Sequence, residues 1–200
     1  MGQLFQLQTL VKNIEHLVGN NPEYLEEVLR HFVKVQLKKG QWVLREGQVG
    51  NDVFFVSSGI LQVIRTDKRG DEKTIDLILK NNWFTDLASF RGSVPSGVNV
   101  IAYRRTTVYN LSRRSFDKLL ETVPKFAMAY LKILEDKYRE SYDRNAMLSF
   151  MSSEERIDWL FRYRADFPGE VPDTLIAAYL GISKETYCRK KGARIVAKYQ

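Results

Sequence analysis

From about Phe32 to Leu111 the apolar residues fall in short runs broken by glycine, as in QWVLREG, DVFFVSSG and ILQVIRTDKRGDEKTIDLIL. Runs of this length, punctuated by Gly40, Gly47, Gly59 and Gly70, predict sequential strands in a compact antiparallel roll rather than strands alternating with helices. Upstream, Leu4 to Arg30 predicts helical material interrupted by Gly19-Asn20-Asn21-Pro22, with Pro22 at a helix start. Downstream the period changes. Ser112 to Glu121 predicts a short helix, and a longer one begins near Pro124. On that longer helix Leu131, Leu134, Tyr138, Ser141, Asn145 and Leu148 recur at alternating spacings of three and four, the pattern of a coiled-coil seam. Ser141 and Asn145 weaken the stripe, so two fates stay open: pairing with a second copy, or lying against the β domain of the same chain.

The last third is helical in pattern. In SSEERIDWLFRYRADF, Ser152 or Ser153 caps a helix that turns Ile157, Leu160 and Phe161 inward, and Phe167-Pro168-Gly169 stops it. VPDTLIAAYLGISKETYCRKK, from Val171 to Lys191, then predicts two short helices joined by a tight turn. Ile176, Leu180 and Ile182 are the apolar contacts, Ala177 permits close approach, and Gly181 allows the backbone of a sharp turn. Ser183 opens the second helix by accepting a free N–H, so Lys184, Glu185, Thr186 and Arg189 project from a defined helix start. Long polar side chains so placed reach base edges in a major groove. An ordinary helical hairpin has the same apolar pattern, and charge separates the two. From Ser183 onward Lys184, Arg189, Lys190, Lys191, Arg194 and Lys198 are opposed only by Glu185, a balance that suits a phosphate backbone. The fold class is therefore α+β: residues 1–111 as N-terminal helices and β-roll, 112–149 as a short helix and a dimerisation helix, and 150–200 as a helix-turn-helix domain.

Composition adds a bias rather than a partner. Among 200 residues, 31 Lys and Arg against 24 Asp and Glu give a net charge of +7, which favours a polyanion. Cys188 is the single cysteine, and with only His16 and His31 no zinc-ligand spacing exists, so neither a disulfide nor a metal or other cofactor is expected. A reducing cytoplasm is the simplest setting. No apolar stretch approaches the roughly 20 residues that span a bilayer, and no export signal is read at the N-terminus. No nucleophile–base signature or phosphate-cradling glycine loop appears, which predicts a binding protein and not an enzyme.

KKGQWVLREG, VFFVSSGILQV, NWFTDLASF and AAYLGISKETYCRK, in this order, resemble the CRP/FNR family of bacterial transcription regulators from about Val33 to Lys191. The resemblance implies a cyclic-nucleotide-binding-type β-roll, a homodimer on a two-fold symmetric duplex DNA site, and RNA polymerase as a further partner. By position Glu185 and Arg189 look like the base-reading pair, Lys184 stands where a contacting arginine often occurs, and Ser183 and Thr186 suit phosphate oxygens.

The ligand segment departs from the pattern. Where cyclic-AMP-binding members carry glycine, glutamate and an apolar residue, this chain has Thr85, Asp86 and Leu87, and their arginine and small residue are replaced by Ser96 and Gly97. Asp86, Leu87, Ser96 and Gly97 are thus the candidate ligand residues, for an effector other than cyclic AMP or for none, with Arg91 as a substitute cation in the same loop. An iron–sulfur cluster lacks thiolates, and His16 and His31 read as structural rather than haem-ligating. Cys188 lies within the reading helix, where oxidation would impair DNA binding, but no feature marks it as reactive. Gly192 directly after Lys190 and Lys191 predicts a short reading helix, extra phosphate contacts from the two lysines, and ARIVAKYQ as one strand or a tail, hence a reduced or absent wing. The alternative function is a ligand-binding or interaction protein that keeps the β-roll and has lost DNA recognition.

Overall fold

The computed structural model describes residues 2–19 and 21–198, with the side chains of residues 2–7, 17–18 and 194–198 outside the description. Asn20 of the expected turn and the side chains of Arg194 and Lys198 therefore lie outside it. The chain opens with α1 (Gly2–Val18) and α2 (Pro22–Leu29). Asn21 caps α2, its side chain accepting from Glu23 N–H, and Pro22 occupies the first helical turn where its missing N–H costs nothing. The β region follows as β1 (Val33–Leu37), β2 (Trp42–Leu44), β3 (Asp52–Ser58), β4 (Ile60–Thr66), β5 (Glu72–Leu79) and β6 (Asn82–Phe84), then α3 (Leu87–Gly92), β7 (Asn99–Ala102) and β8 (Thr106–Ser112). After it come α4 (Arg113–Thr122), α5 (Pro124–Phe150), α6 (Ser153–Tyr163), α7 (Asp173–Leu180) and α8 (Lys184–Lys198).

All ladders are antiparallel and form two sheets, β1-β8-β3-β6 and β2-β7-β4-β5. The period of two sorts the apolar residues of β3 and β8 to opposite faces. Val53, Phe55, Tyr109 and Leu111 pack with Leu10, Ile14, Val28, Phe90, Phe116 and Leu119 of the helices, whereas Val56 and Val108 join Leu37, Leu61, Val63, Ile78 and Val100 inside the roll. Burial on both faces explains why DVFFV is a continuous apolar run rather than an alternating one.

Two compact units, residues 1–135 and 136–200, divide the chain within α5, where the sequence reading placed boundaries at 111/112 and 149/150. The reason is local: Phe126 and Ala129 belong to the helix-side core of the first unit, while Arg144 bonds the Tyr179 carbonyl of the second at 2.9 Å. In the second unit Ser152 and Glu155 form a capping box at the start of α6, and Ile157, Leu160, Phe167, Leu175, Ile176, Tyr179, Leu180 and Tyr187 are buried. Phe161, expected inside, is half-buried.

One expectation fails here. The reading helix does not stop at Gly192: α8 continues through it to Lys198. A glycine ends a helix by taking a left-handed conformation, as Gly181 does at φ 65°, and Gly192 is not among the positive-φ glycines. No strand follows α8 among the described residues.

Candidate nucleic-acid interface

Gly181 answers two demands at the turn between α7 and α8. It is left-handed, at φ 65° and ψ 35°, with its N–H directed at the last carbonyls of α7. A Cβ there would also stand 3.3 Å from Arg156 Nη1 and 3.4 Å from Leu148 Cδ2. Ser183 then caps α8: its Oγ accepts the Thr186 N–H at 3.1 Å, and the two hydroxyls lie 3.0 Å apart. Cap and turn together fix the first turn of α8, from which Lys184, Glu185 and Arg189 stand exposed. The Glu185 carboxyl lies below its ordinary value, held by its own N–H and by the Ser183 hydroxyl.

The frame is built by arginines turned inward. Arg156 donates to three main-chain carbonyls, Met151 through Nε, Leu180 through Nη1 and Leu148 through Nη2, each at 2.9 Å. Two of these close helices, Leu180 ending α7 and Leu148 near the end of α5, so one guanidinium satisfies orphan carbonyls where the helix dipoles favour a cation. Arg164 is buried against the Phe167 ring, 3.9 Å from Cζ to centroid, and is ion-paired with Glu140 and with Asp166 at 3.2 Å. Burial raises the Glu140 pKa, but Lys137 and Arg164 more than offset it and leave the carboxyl below its ordinary value.

Lys190 and Lys191 differ from the sequence expectation of phosphate contacts. Lys190 pairs with Glu154 of α6, and Lys191 pairs with Asp173 of α7 at 2.8 Å while lying over the Tyr187 ring. Both tie the reading helix to its own domain. Cys188 is exposed, with Sγ 3.9 Å from Asp173 Oδ2.

The expected ligand residues do not converge. Asp86 caps α3, its Oδ1 accepting the Ser89 N–H at 3.2 Å. Ser96, 3% exposed, closes its hydroxyl on the next turn of its own loop, donating to the Val98 carbonyl at 3.0 Å and accepting the Val98 N–H at 3.1 Å. Arg91 points to α4, pairing with Asp117 at 3.3 Å over the Phe116 ring. Asp86 lines a cavity of about 120 Å³ with Val43, Leu44, Phe54, Phe84 and Asp52, whereas Leu87, Ser96 and Gly97 are not in its wall. Burial raises the Asp52 pKa. The sequence missed α3 as a helix; the signal was Asp86 itself, three residues before Ser89, in the role of a cap.

Residues 34–123 match the family model for the cyclic nucleotide-binding domain. The "Cyclic AMP receptor protein" of Thermus thermophilus is 24% identical over 175 residues, 86% of this chain and 81% of that protein. Among solved structures, FixK2 from Bradyrhizobium japonicum superposes with a TM-score of 0.72 at 16% identity, over 84% of this chain and 86% of that one. This is the CRP/FNR fold, built on a cyclic nucleotide-binding domain. The same domain links the chain to a mouse hyperpolarization-activated cyclic nucleotide-gated channel 3, 26% identical over 151 residues, 75% of this chain but 18% of the channel. No helix among the described residues is long and apolar enough to cross a membrane. Below the cyclic nucleotide-binding domain's last strand, Arg113 joins three of its segments, donating to the Gly50 and Ser89 carbonyls at 3.1 Å each and to the Ser93 hydroxyl.

Along α5 the seam predicted from the sequence divides. Leu131 and Tyr138 are 47% and 74% exposed, Ser141 and Asn145 are also exposed, and Met128 and Tyr142 extend the apolar surface at 66% and 65%. Leu134 and Leu148 are half-buried, Leu148 turning toward Gly181.

Proposed function

We propose that the protein is a homodimeric, sequence-specific transcription regulator that binds duplex DNA through the start of α8 and does not respond to cyclic AMP. The observation that carries the reading is the α7–Gly181–α8 unit, whose capped helix start leaves Lys184, Glu185 and Arg189 exposed while other residues build the frame. Arg189 suits guanine O6 and N7, Glu185 suits the cytosine amino group, and Ser183 and Thr186 suit phosphate oxygens. The exposed Met128, Leu131, Tyr138 and Tyr142 on α5 support pairing with a second copy, which predicts an operator of two-fold symmetry.

Loss of cyclic AMP response is supported by chemistry and space alike. No arginine lines the cavity beside Asp86, and its volume of about 120 Å³ is below the roughly 300 Å³ at which small-molecule pockets begin. Selection of bound sequences from random duplex DNA tests the first part: a palindromic motif is expected, and recovery of no motif sinks it. Calorimetric titration tests the second, with no cyclic AMP binding expected at micromolar concentration and a clear isotherm overturning it.

A further inference from the structure

The eight strands of the roll run alternately up and down, so four connections share one end: 38–41 between β1 and β2, Gly59 between β3 and β4, 80–81 between β5 and β6, and 103–105 between β7 and β8. Their sequences are KKGQ, G, KN and YRR, with Lys38, Lys39, Lys80, Arg104 and Arg105 and not one carboxylate. At the opposite end the β4–β5 turn alone brings Asp67 and Asp71 against Lys68 and Arg69. The β-roll's own positive balance is therefore concentrated on one of its ends, separate in sequence from the basic α8.

Three of these turns are cross-linked into one plate by hydrogen bonds. Gly40 N–H donates to the Ala102 carbonyl at 2.8 Å, Ala102 N–H to Gln41 at 2.9 Å, and Tyr103 N–H to Ile60 at 3.0 Å. The Thr106 hydroxyl accepts the Ile60 N–H at 3.1 Å and lies 2.8 Å from the Arg104 carbonyl. Gly59, at φ 95°, is pressed so close that a Cβ would meet Arg105 O at 2.7 Å and Thr106 Cα at 2.6 Å. On this plate Lys38, Lys39 and Arg105 are exposed and enter no ion pair among the described residues.

We propose that this cationic end is a second contact surface for the phosphate backbone of DNA, independent of base sequence. The four turns carry five cations, two glycines, Gln41, Asn81 and the half-buried Tyr103, with no exposed leucine, isoleucine or phenylalanine to insert into a lipid surface and Trp42 as the one exposed aromatic beside them, so the cations favour phosphate oxygens as partner. Turns already held by hydrogen bonds need no backbone ordering when their cations engage a polyanion, and each phosphate neutralised releases condensed counterions. The inference rests on the DNA-binding reading for the identity of its polymer.

The test compares the full chain with Lys38→Gln/Lys39→Gln/Arg105→Gln on two duplexes carrying a selected operator, one of about 20 bp and one of about 60 bp with random flanks. On the longer duplex the slope of log affinity against log salt is expected to flatten by about 5 for the variant dimer, near 0.9 for each phosphate no longer neutralised by the three substituted cations of each protomer, and on the shorter one to stay unchanged. Equal slopes for both proteins on the longer duplex overturn the inference and leave the DNA reading intact. Failure of the unmodified protein to bind either duplex overturns the DNA reading itself. Anionic phosphatidylserine vesicles are the third arm: sedimentation of the unmodified chain with them, abolished in the variant, with no slope difference on DNA, assigns the surface to a membrane and overturns the proposal.

Discussion

The segment from Phe84 to Val98 and the segment from Asp173 to Lys191 present similar polar residues to opposite ends. In the first, Asp86 caps a helix, Ser96 closes on its own loop and Arg91 crosses to Asp117, so these three polar side chains are engaged by the protein itself. In the second, capping falls to Ser183, helix closure to Arg156 and ion pairing to Lys190 and Lys191, which leaves Lys184 and Arg189 exposed. Polar side chains act on a partner only where other residues have already met the backbone's demands.

The largest effect that would break this contrast comes from the frame. Arg156→Met removes three charge-assisted bonds to carbonyls and leaves helix ends uncapped, and a loss of about 3 kcal/mol is expected in thermal or urea unfolding. A loss below about 1 kcal/mol would show that water replaces the guanidinium at no cost. Next in size is a pair of arginines. Arg189→Ala is expected to cost about 1 to 3 kcal/mol of operator binding and to relax preference at one base pair, with stability unchanged. Arg91→Ala, losing an exposed ion pair, is expected to change stability by less than about 1 kcal/mol and DNA binding not at all. Equal losses for Arg189→Ala on operator and random DNA would remove it from base reading.

Acid sharpens the contrast further. The Glu140 carboxyl titrates below 4.5 in the folded chain, so its pairing with Arg164 and Lys137 is fully present above pH 4.5 and is lost as pH falls through the folded value. Stability of the C-terminal unit should decline over that window, and Glu140→Gln should flatten the decline while lowering stability at neutral pH. The smallest effect is at Tyr187, whose buried hydroxyl has no hydrogen-bond partner among the described residues and whose pKa is pushed up to about 12 by burial, Asp173 and Cys188. Tyr187→Phe is expected to change stability by less than about 0.5 kcal/mol, since no bond is broken. A larger loss in calorimetry would reveal a partner for the hydroxyl.

Much of this architecture was legible because its signals are local. Asn21-Pro22, Ser152 with Glu155, and Gly181 followed by Ser183 each announce a helix end within a few residues. The doubly buried DVFFV run likewise declared a strand through its composition. What stayed hidden depended on distance along the chain. Lys190 meets Glu154 across 36 residues and Lys191 meets Asp173 across 18, so their pairing leaves no mark in the basic run that suggested phosphate contact. Gly192 misled for another reason: a glycine that ends a helix and one that merely sits in it are the same letter, and only φ tells them apart. Asp86 was noticed as a ligand contact and its role as a cap passed unseen, because a carboxylate suited to a ribose is equally suited to a helix start.

The Arg156 clamp grips carbonyl oxygens and no side chain. Its partners at positions 148, 151 and 180 are therefore free to change identity as far as the clamp is concerned, and so are the outward positions 184, 185 and 189. Randomised libraries at those three outward positions should yield folded proteins of new sequence preference, whereas a scan at Gly181 and Arg156 should return a single tolerated letter at each.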